Sequence, residues 1–79
     1  MAEACGNETV LDLRGLDCPE PVLKASTAMR SLQPGDLLVL ECTDPLTMID
    51  IPHFVSQNRH QLIAQERQGE IFVYRILKQ

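Results

Sequence analysis

"LQPGDLLVLECT", residues 32–43, joins a helix stop to an uninterrupted apolar run. Pro34 and Gly35 terminate any helical periodicity that precedes them. The run beginning at Leu37 has the length and the leucine and valine content of a central strand. A helix that ends here and a strand that begins here mark the second half of a crossover. The fold therefore turns on what lies upstream.

Upstream, Val22, Ala25, Met29 and Leu32 fall on one stripe of a helix predicted over Pro19–Leu32. Lys24, Thr27, Arg30 and Ser31 fall largely elsewhere on the wheel. Before it, "ETVLDLRGL" (8–16) sets Leu11 and Leu13 against Val10, Asp12 and Arg14, the alternation of a half-buried strand, ended by Gly15. Strand, helix and strand in this order predict a parallel pair joined by a right-handed crossover.

Downstream, "DPLTMIDIPHFVSQNRH" (44–60) reads as a turn leading into a second helix with two candidate starts. An interior proline removes a helix hydrogen bond, which favours Asp50 as cap and Pro52 in the first turn. The other start lies near Thr47, with a kink at Pro52. "QLIAQE", "RQGE" and "IFVYRILK" then form a closing hairpin, with Gly69 supplying positive φ. The sum is β-α-β-α-β-β: an α/β two-layer sandwich with two helices on one face of a four-stranded mixed sheet. Whether the other face meets solvent or a partner is left open.

Seventy-nine residues suffice for one modest core, here with only 4% aromatics and therefore built mainly of Leu, Ile, Val and Ala. Residues 9–79 are expected to form this single domain and residues 1–8 a flexible tail. The formal net charge of −4 weighs against direct nucleic-acid binding, which needs a basic field. No apolar run reaches the length of a spanning helix, so no membrane role is expected. "MAEACGNETV" lacks the basic and apolar regions of a secretory signal, which leads to an expectation of cytoplasmic location. Three cysteines, Cys5, Cys18 and Cys42, are an odd set without a CxxC pair, so reduced thiols are expected and a zinc site is not.

Cys18 stands apart because of its setting, "GLDCPEPVLK" (15–24). With Pro19 at the first helical position, Cys18 becomes the N-cap. Pro19 and Pro21 remove two of the four free donors, leaving the N–H groups of Cys18 and Glu20 near the sulfur. Those donors and the helix dipole lower a thiol pKa. Asp17 and Glu20 oppose that shift, Arg14 and Lys24 offset them, and the sign of the sum stays open. Pro21 also fills the i+3 slot where a dithiol oxidoreductase carries its resolving cysteine. An adduct on Cys18 would then await another protein, which suits a carrier. The competing reading is a small, inert, buried cap residue.

The stretch "LDLRGLDCPEPVLK", followed by "LQPGD", "DP", "DIPHF" and "HQLIAQE", resembles the TusA family of sulfur carriers, also called SirA-like, from Leu11 to Lys78. The resemblance implies a βαβαββ fold similar to the C-terminal domain of translation initiation factor 3. It implies that Cys18, in the CPxP motif, receives sulfane sulfur as a persulfide. Donors would be IscS-type cysteine desulfurases or rhodaneses, and acceptors TusBCD- or DsrE-type proteins. Destinations in the family include tRNA 2-thiouridine, molybdenum cofactor assembly and dissimilatory sulfur metabolism. No cofactor is implied. Many relatives carry a second cysteine where Val55 stands, and a glycine is common at the position of Arg59.

The remaining candidates are ranked by the same logic. Arg14, Asp17, Lys24, Arg30 and Asp50 are candidate docking residues, since a carrier must present its sulfur to several partners and charge steers such encounters. Glu20, exposed between Pro19 and Pro21, belongs with them. Asp50 reads first as a cap, with no partner for a general-base role. Cys42 reads as a small strand hydrophobe, and Cys5 as a tail residue. His53 and His60 lack ligand spacing, and no metal is expected. Two rival functions stand beside the carrier: a regulatory protein-binding module of the same fold, and an enzyme with a nucleophilic cysteine, which lacks a matched base.

Overall fold

The structure is a computed structural model that describes residues 8–79. Its elements are β1 (Glu8–Leu13), α1 (Glu20–Ser31), β2 (Leu37–Cys42), α2 (Thr47–Gln57), β3 (Gln61–Gln68) and β4 (Ile71–Leu77). The expected element order and mixed sheet are both present. β1 begins at the last residue of the expected tail; the rest of that stretch, Cys5 included, lies outside the described residues.

Strand order is β1-β2-β4-β3. β2 runs parallel to β1, with Val10 opposite Val39, and antiparallel to β4, with Leu40 opposite Tyr74. Its central place explains the unbroken apolar run: Leu38, Leu40 and Cys42 point into the helix layer, while Val39 is shielded on the other face. Alternate residues of β4, Phe72, Tyr74 and Ile76, complete the inner face. Ala25 and Met29 from α1, with Ile51, Phe54 and Val55 from α2, close over them. Full burial of each large side chain contributes about 1.5–3 kcal/mol, so this single seam holds the layers together.

No described element covers the second face of the sheet. Val39 and Val73 are nevertheless only 4% and 9% exposed, because each lies between paired neighbours in the register. Arg75 reaches across that face to Glu8 at 3.6 Å.

One local reading is sharpened and two change. The turn "QPGD" is a Gln33–Asp36 turn with Pro34 second and Gly35 third at φ 95°, the arrangement in which a type II turn requires glycine. It follows α1, which runs Glu20–Ser31, one residue shorter at each end than the expected Pro19–Leu32. The closing hairpin is tighter than "RQGE". Arg67 and Gln68 remain paired, leaving a two-residue turn with Gly69 at φ 64° in its first position.

The second helix starts at Thr47, so Asp50 is not its cap and Pro52 lies inside it. Polar anchoring outweighs the proline. Asp44 Oδ1 accepts the Leu46 N–H at 3.0 Å, and Thr47 Oγ1 donates to the Asp44 carbonyl at 2.7 Å. With that proton committed, the buried Tyr74 hydroxyl donates to Thr47 Oγ1 at 2.8 Å. Pro52 removes one helix bond only, that to the carbonyl of the exposed Met48.

Candidate functional site

The crossover loop after β1 and the loop after β2 leave the sheet side by side, because their strands are parallel neighbours. The first carries Gly15, at φ 85°, whose N–H donates to Thr43 Oγ1 at 2.8 Å. Cys18 follows three residues later, exposed, with its thiol free. The other free cysteine among the described residues, Cys42, is fully buried in β2.

Cys18 is not the N-cap. The Pro19 carbonyl accepts the first intrahelical bond, from Leu23 at 3.1 Å, so Pro19 is the cap and Pro21 the second helical residue. Asp17 to Glu20 form a turn closed by the Glu20 N–H on the Asp17 carbonyl at 2.8 Å, with a cis bond between Cys18 and Pro19. Pro21 is buried and packs the helix start onto the core, while Glu20 stays exposed.

The two backbone donors expected at the sulfur are engaged elsewhere. Glu20 N–H closes the turn, and Cys18 N–H donates to Asp44 Oδ2 at 2.7 Å. Asp44 thus uses one oxygen on the cysteine loop and the other on the start of α2. The sulfur has a different partner: Cys18 Sγ donates to Asp50 Oδ2 at 2.8 Å, across 32 residues of sequence. Asp50, in the first turn of α2, is therefore a direct neighbour of the thiol.

These contacts settle the direction of the thiol pKa. The hydrogen bond to Asp50 is the largest influence and raises it, followed by desolvation and the charges of Asp50 and Asp44. A carboxylate acceptor favours the protonated sulfur and repels the thiolate. The expectation that helix-end donors act on the sulfur fails because both donors have oxygen partners. Cys42 is raised too, to about 11, with burial as the main cause.

The other candidate residues divide. Arg14 is held by Asp12, through Nε at 2.8 Å and Nη2 at 3.0 Å, and does not offset the acidic surroundings of Cys18. The same pair holds the Asp12 carboxyl at about 2. Asp17 contributes its carbonyl to the turn. Glu20 and Lys24 line a shallow groove of about 380 Å³ with Leu11, Leu23, Thr27 and Ala28, beside the cysteine loop. Arg30 lies in the last turn of α1, about 15 Å along the axis from Glu20 at 1.5 Å per residue. It lines a separate cavity of about 350 Å³ with Met29, Phe54, Asn58, His60 and Lys78. His53 is exposed on α2. His60 is half-buried and its Nδ1 accepts the Gln79 N–H at 3.2 Å; burial lowers its pKa. Arg59 takes φ 62°, the left-handed conformation that a glycine adopts freely. Among the described residues, no group of three His, Cys, Asp or Glu could hold a metal ion.

Two features escaped sequence reasoning. Asp44 was legible only as part of a turn, although "DP" before a helix is a signal for a side chain that caps local amides. The exposed apolar residues Leu46, Met48 and Ile49 form the outer side of the α2 start, with Ile49 at 69% exposure. The site is thus a strand–loop–helix carrying a solvent-facing cysteine against an aspartate.

Residues 9–78 match the family model described as sulfurtransferase TusA. The chain belongs to the TusA family. Relatives named sulfur carrier protein TusA occur in Pseudomonas paraeruginosa (strain DSM 24068 / PA7) and Pseudomonas aeruginosa (strains LESB58 and UCBPP-PA14). Each is 41% identical over 71 residues, covering 90% of both chains. The TusA match takes in all of the elements except Glu8 at the start of β1, so the cysteine loop, Asp44 and Asp50 all lie within it. No helix among the described residues is long and apolar enough to cross a membrane.

Proposed function

We propose that this chain is a sulfur carrier that accepts sulfane sulfur as a persulfide on Cys18 and relays it to an acceptor protein. The observation that supports this most directly is the presentation of Cys18: exposed, on a loop anchored at both sides, with the other described cysteine buried. A sulfur adduct there has no described thiol within reach to resolve it, so its discharge falls to a second protein. Membership in the TusA family points the same way.

In this reading the Cys18 thiolate attacks the outer sulfur of a donor persulfide, and an acceptor thiol later attacks the outer sulfur of Cys18–S–SH. The donor is a cysteine desulfurase of the IscS type or a rhodanese, and the acceptor a TusBCD- or DsrE-type protein, in the cytoplasm. The onward pathway is tRNA 2-thiouridine formation, molybdenum cofactor assembly or related sulfur metabolism. Glu20 and Lys24, beside the cysteine loop, are proposed to contact those partners; Arg30, at the far end of α1, serves only a wide interface.

The test is direct. The protein is incubated with a cysteine desulfurase and cysteine, then weighed intact under non-reducing conditions. A reducible one-sulfur gain is expected on the wild type and not on Cys18→Ser. No gain on the wild type would sink the carrier reading; a gain surviving in Cys18→Ser would move the site to another cysteine.

A further inference from the structure

The geometry points to Asp50 as a specificity-determining residue of sulfur transfer. Its carboxylate keeps the proton on Cys18 in the free carrier, and a cationic group on the partner protein releases the thiolate by engaging that carboxylate. This rests on the carrier reading above.

The bond between Cys18 Sγ and Asp50 Oδ2, 2.8 Å long, has one possible donor when the carboxylate is ionised, and that is the thiol. Ionising the sulfur in place would set two negative atoms against each other. Nothing among the described residues relieves this. The Cys18 amide is bound by Asp44 Oδ2 and the Glu20 amide by the Asp17 carbonyl, so neither serves the sulfur. Among the described residues, the charges acting on it are Asp50 from α2 and Asp44 from the β2–α2 loop, with Asp17 and Glu20 its neighbours along the chain. Arg14 is committed to Asp12, and Lys24 lies one turn beyond Glu20. Among the described residues, no ion pair reaches Asp44 or Asp50. The raised thiol pKa has the same origin.

The surroundings also indicate what relieves the constraint. Leu46, Met48 and Ile49 are exposed on the same turn as Asp50. A partner covering them excludes water from Asp50, and an arginine or lysine placed there gains a desolvated ion pair. With Asp50 so engaged, the carboxylate no longer favours the protonated sulfur. Since the thiolate is the nucleophile, the free carrier reacts slowly with small electrophiles and quickly only inside a complex.

The transfer balances without an external oxidant. Cys18–S⁻ attacks the outer sulfur of the donor's R–S–SH, forming the Cys18 S–S bond as the donor S–S bond breaks. R–S⁻ departs with the electron pair and takes up, through solvent, the proton that Cys18 lost. The net change is Cys18–SH and R–S–SH to Cys18–S–SH and R–SH.

Two readouts on Asp50→Asn test this, with Asp44→Asn as a second variant should the first fold poorly. Alkylation of Cys18 by iodoacetamide across a pH series, read by mass with Cys18→Ser as background, reports the thiol pKa. A fall of one unit raises the thiolate fraction at neutral pH about tenfold, so a gain of roughly three- to tenfold in alkylation rate is expected. Sulfur loading from a cysteine desulfurase, measured against salt concentration, reports the cationic contact. Wild-type loading slows as salt rises, and the variant shows a shallower slope. An alkylation profile that superimposes on the wild type or moves to higher pH overturns the proposal, as does an unchanged salt slope. Failure of the wild type to load sulfur instead overturns the carrier reading, and the transfer half of this proposal with it.

Discussion

The two described cysteines sit on the same side of the fold, one in a loop and one at the end of a strand, and both resist ionisation. They do so by different means. Cys42 is fully buried in β2, where lack of water suppresses the thiolate, and only unfolding changes that. Cys18 is exposed, and its thiol is protected chiefly by a hydrogen bond to Asp50. Packing is permanent while the fold lasts, whereas a single polar contact can be exchanged for another. The lesson is that accessibility and reactivity are set separately: solvent reaches Cys18, yet a neighbouring carboxylate decides whether its sulfur is a nucleophile.

Substitution separates the pair most sharply. Cys18→Ser is expected to abolish sulfur uptake, by intact mass, while leaving the thermal midpoint almost unchanged. Cys42→Ser should do the reverse. Uptake persists, and stability in urea falls by roughly 1–3 kcal/mol, because a hydroxyl enters a buried site shaped for a thiol. Loss of uptake in Cys42→Ser without unfolding would erase the distinction.

The next effect concerns the polar anchor beneath both cysteines. Tyr74→Phe removes the buried donor to Thr47 and should cost about 1–2 kcal/mol in urea unfolding, since one buried hydrogen bond is lost. A change below the error of the fit would show that Thr47 is held by Asp44 alone. Asp44→Ala frees the amides of Cys18 and Leu46, and a cost near 1 kcal/mol is expected by analogy with a lost cap. Hydrogen exchange at the Cys18 amide should quicken in that variant; unchanged protection would mean that the cysteine loop is held by its own turn.

The smallest effect is a slope. The folded pKa of Cys42 is raised from 9.0 to about 11, so the unfolded chain releases this proton first. Stability from this group is fully present below pH 9 and is lost as pH rises toward 11. Cys42→Ala should flatten part of that alkaline decline in a series of urea titrations; an identical slope would assign the decline to other groups such as Tyr74, whose pKa burial also raises.

What could be read in advance follows from the range of each interaction. The apolar run of β2, the stripe of α1 and the parallel β1–β2 pair are local or nearly local patterns, and all are present. Cys18 stood out because its prolines adjoin it. The start of α2 was harder, because a proline argument is local while the bonds from Thr47 to Asp44 and Tyr74 are not. Asp50 was read as a cap for the same reason: its partner lies 32 residues away, and no periodicity encodes that contact. The cap at Cys18 was displaced by one residue because the Asp17–Glu20 turn, invisible to a helical pattern, takes up Cys18 and Pro19.

Lys78, in the last residues of the chain, carries a consequence for synthesis. Its ammonium group donates to the carbonyls of Met29 and Leu32 at 2.6 Å each, closing the C-terminal end of α1 across 49 and 46 residues. β4 likewise inserts between β2 and β3. On the ribosome, β2 therefore waits with one apolar edge unpaired, and α1 with its last carbonyls unmet, until β4 and Lys78 emerge. The sheet is therefore most exposed to misassociation while β4 is still unmade, and its closure waits on that strand.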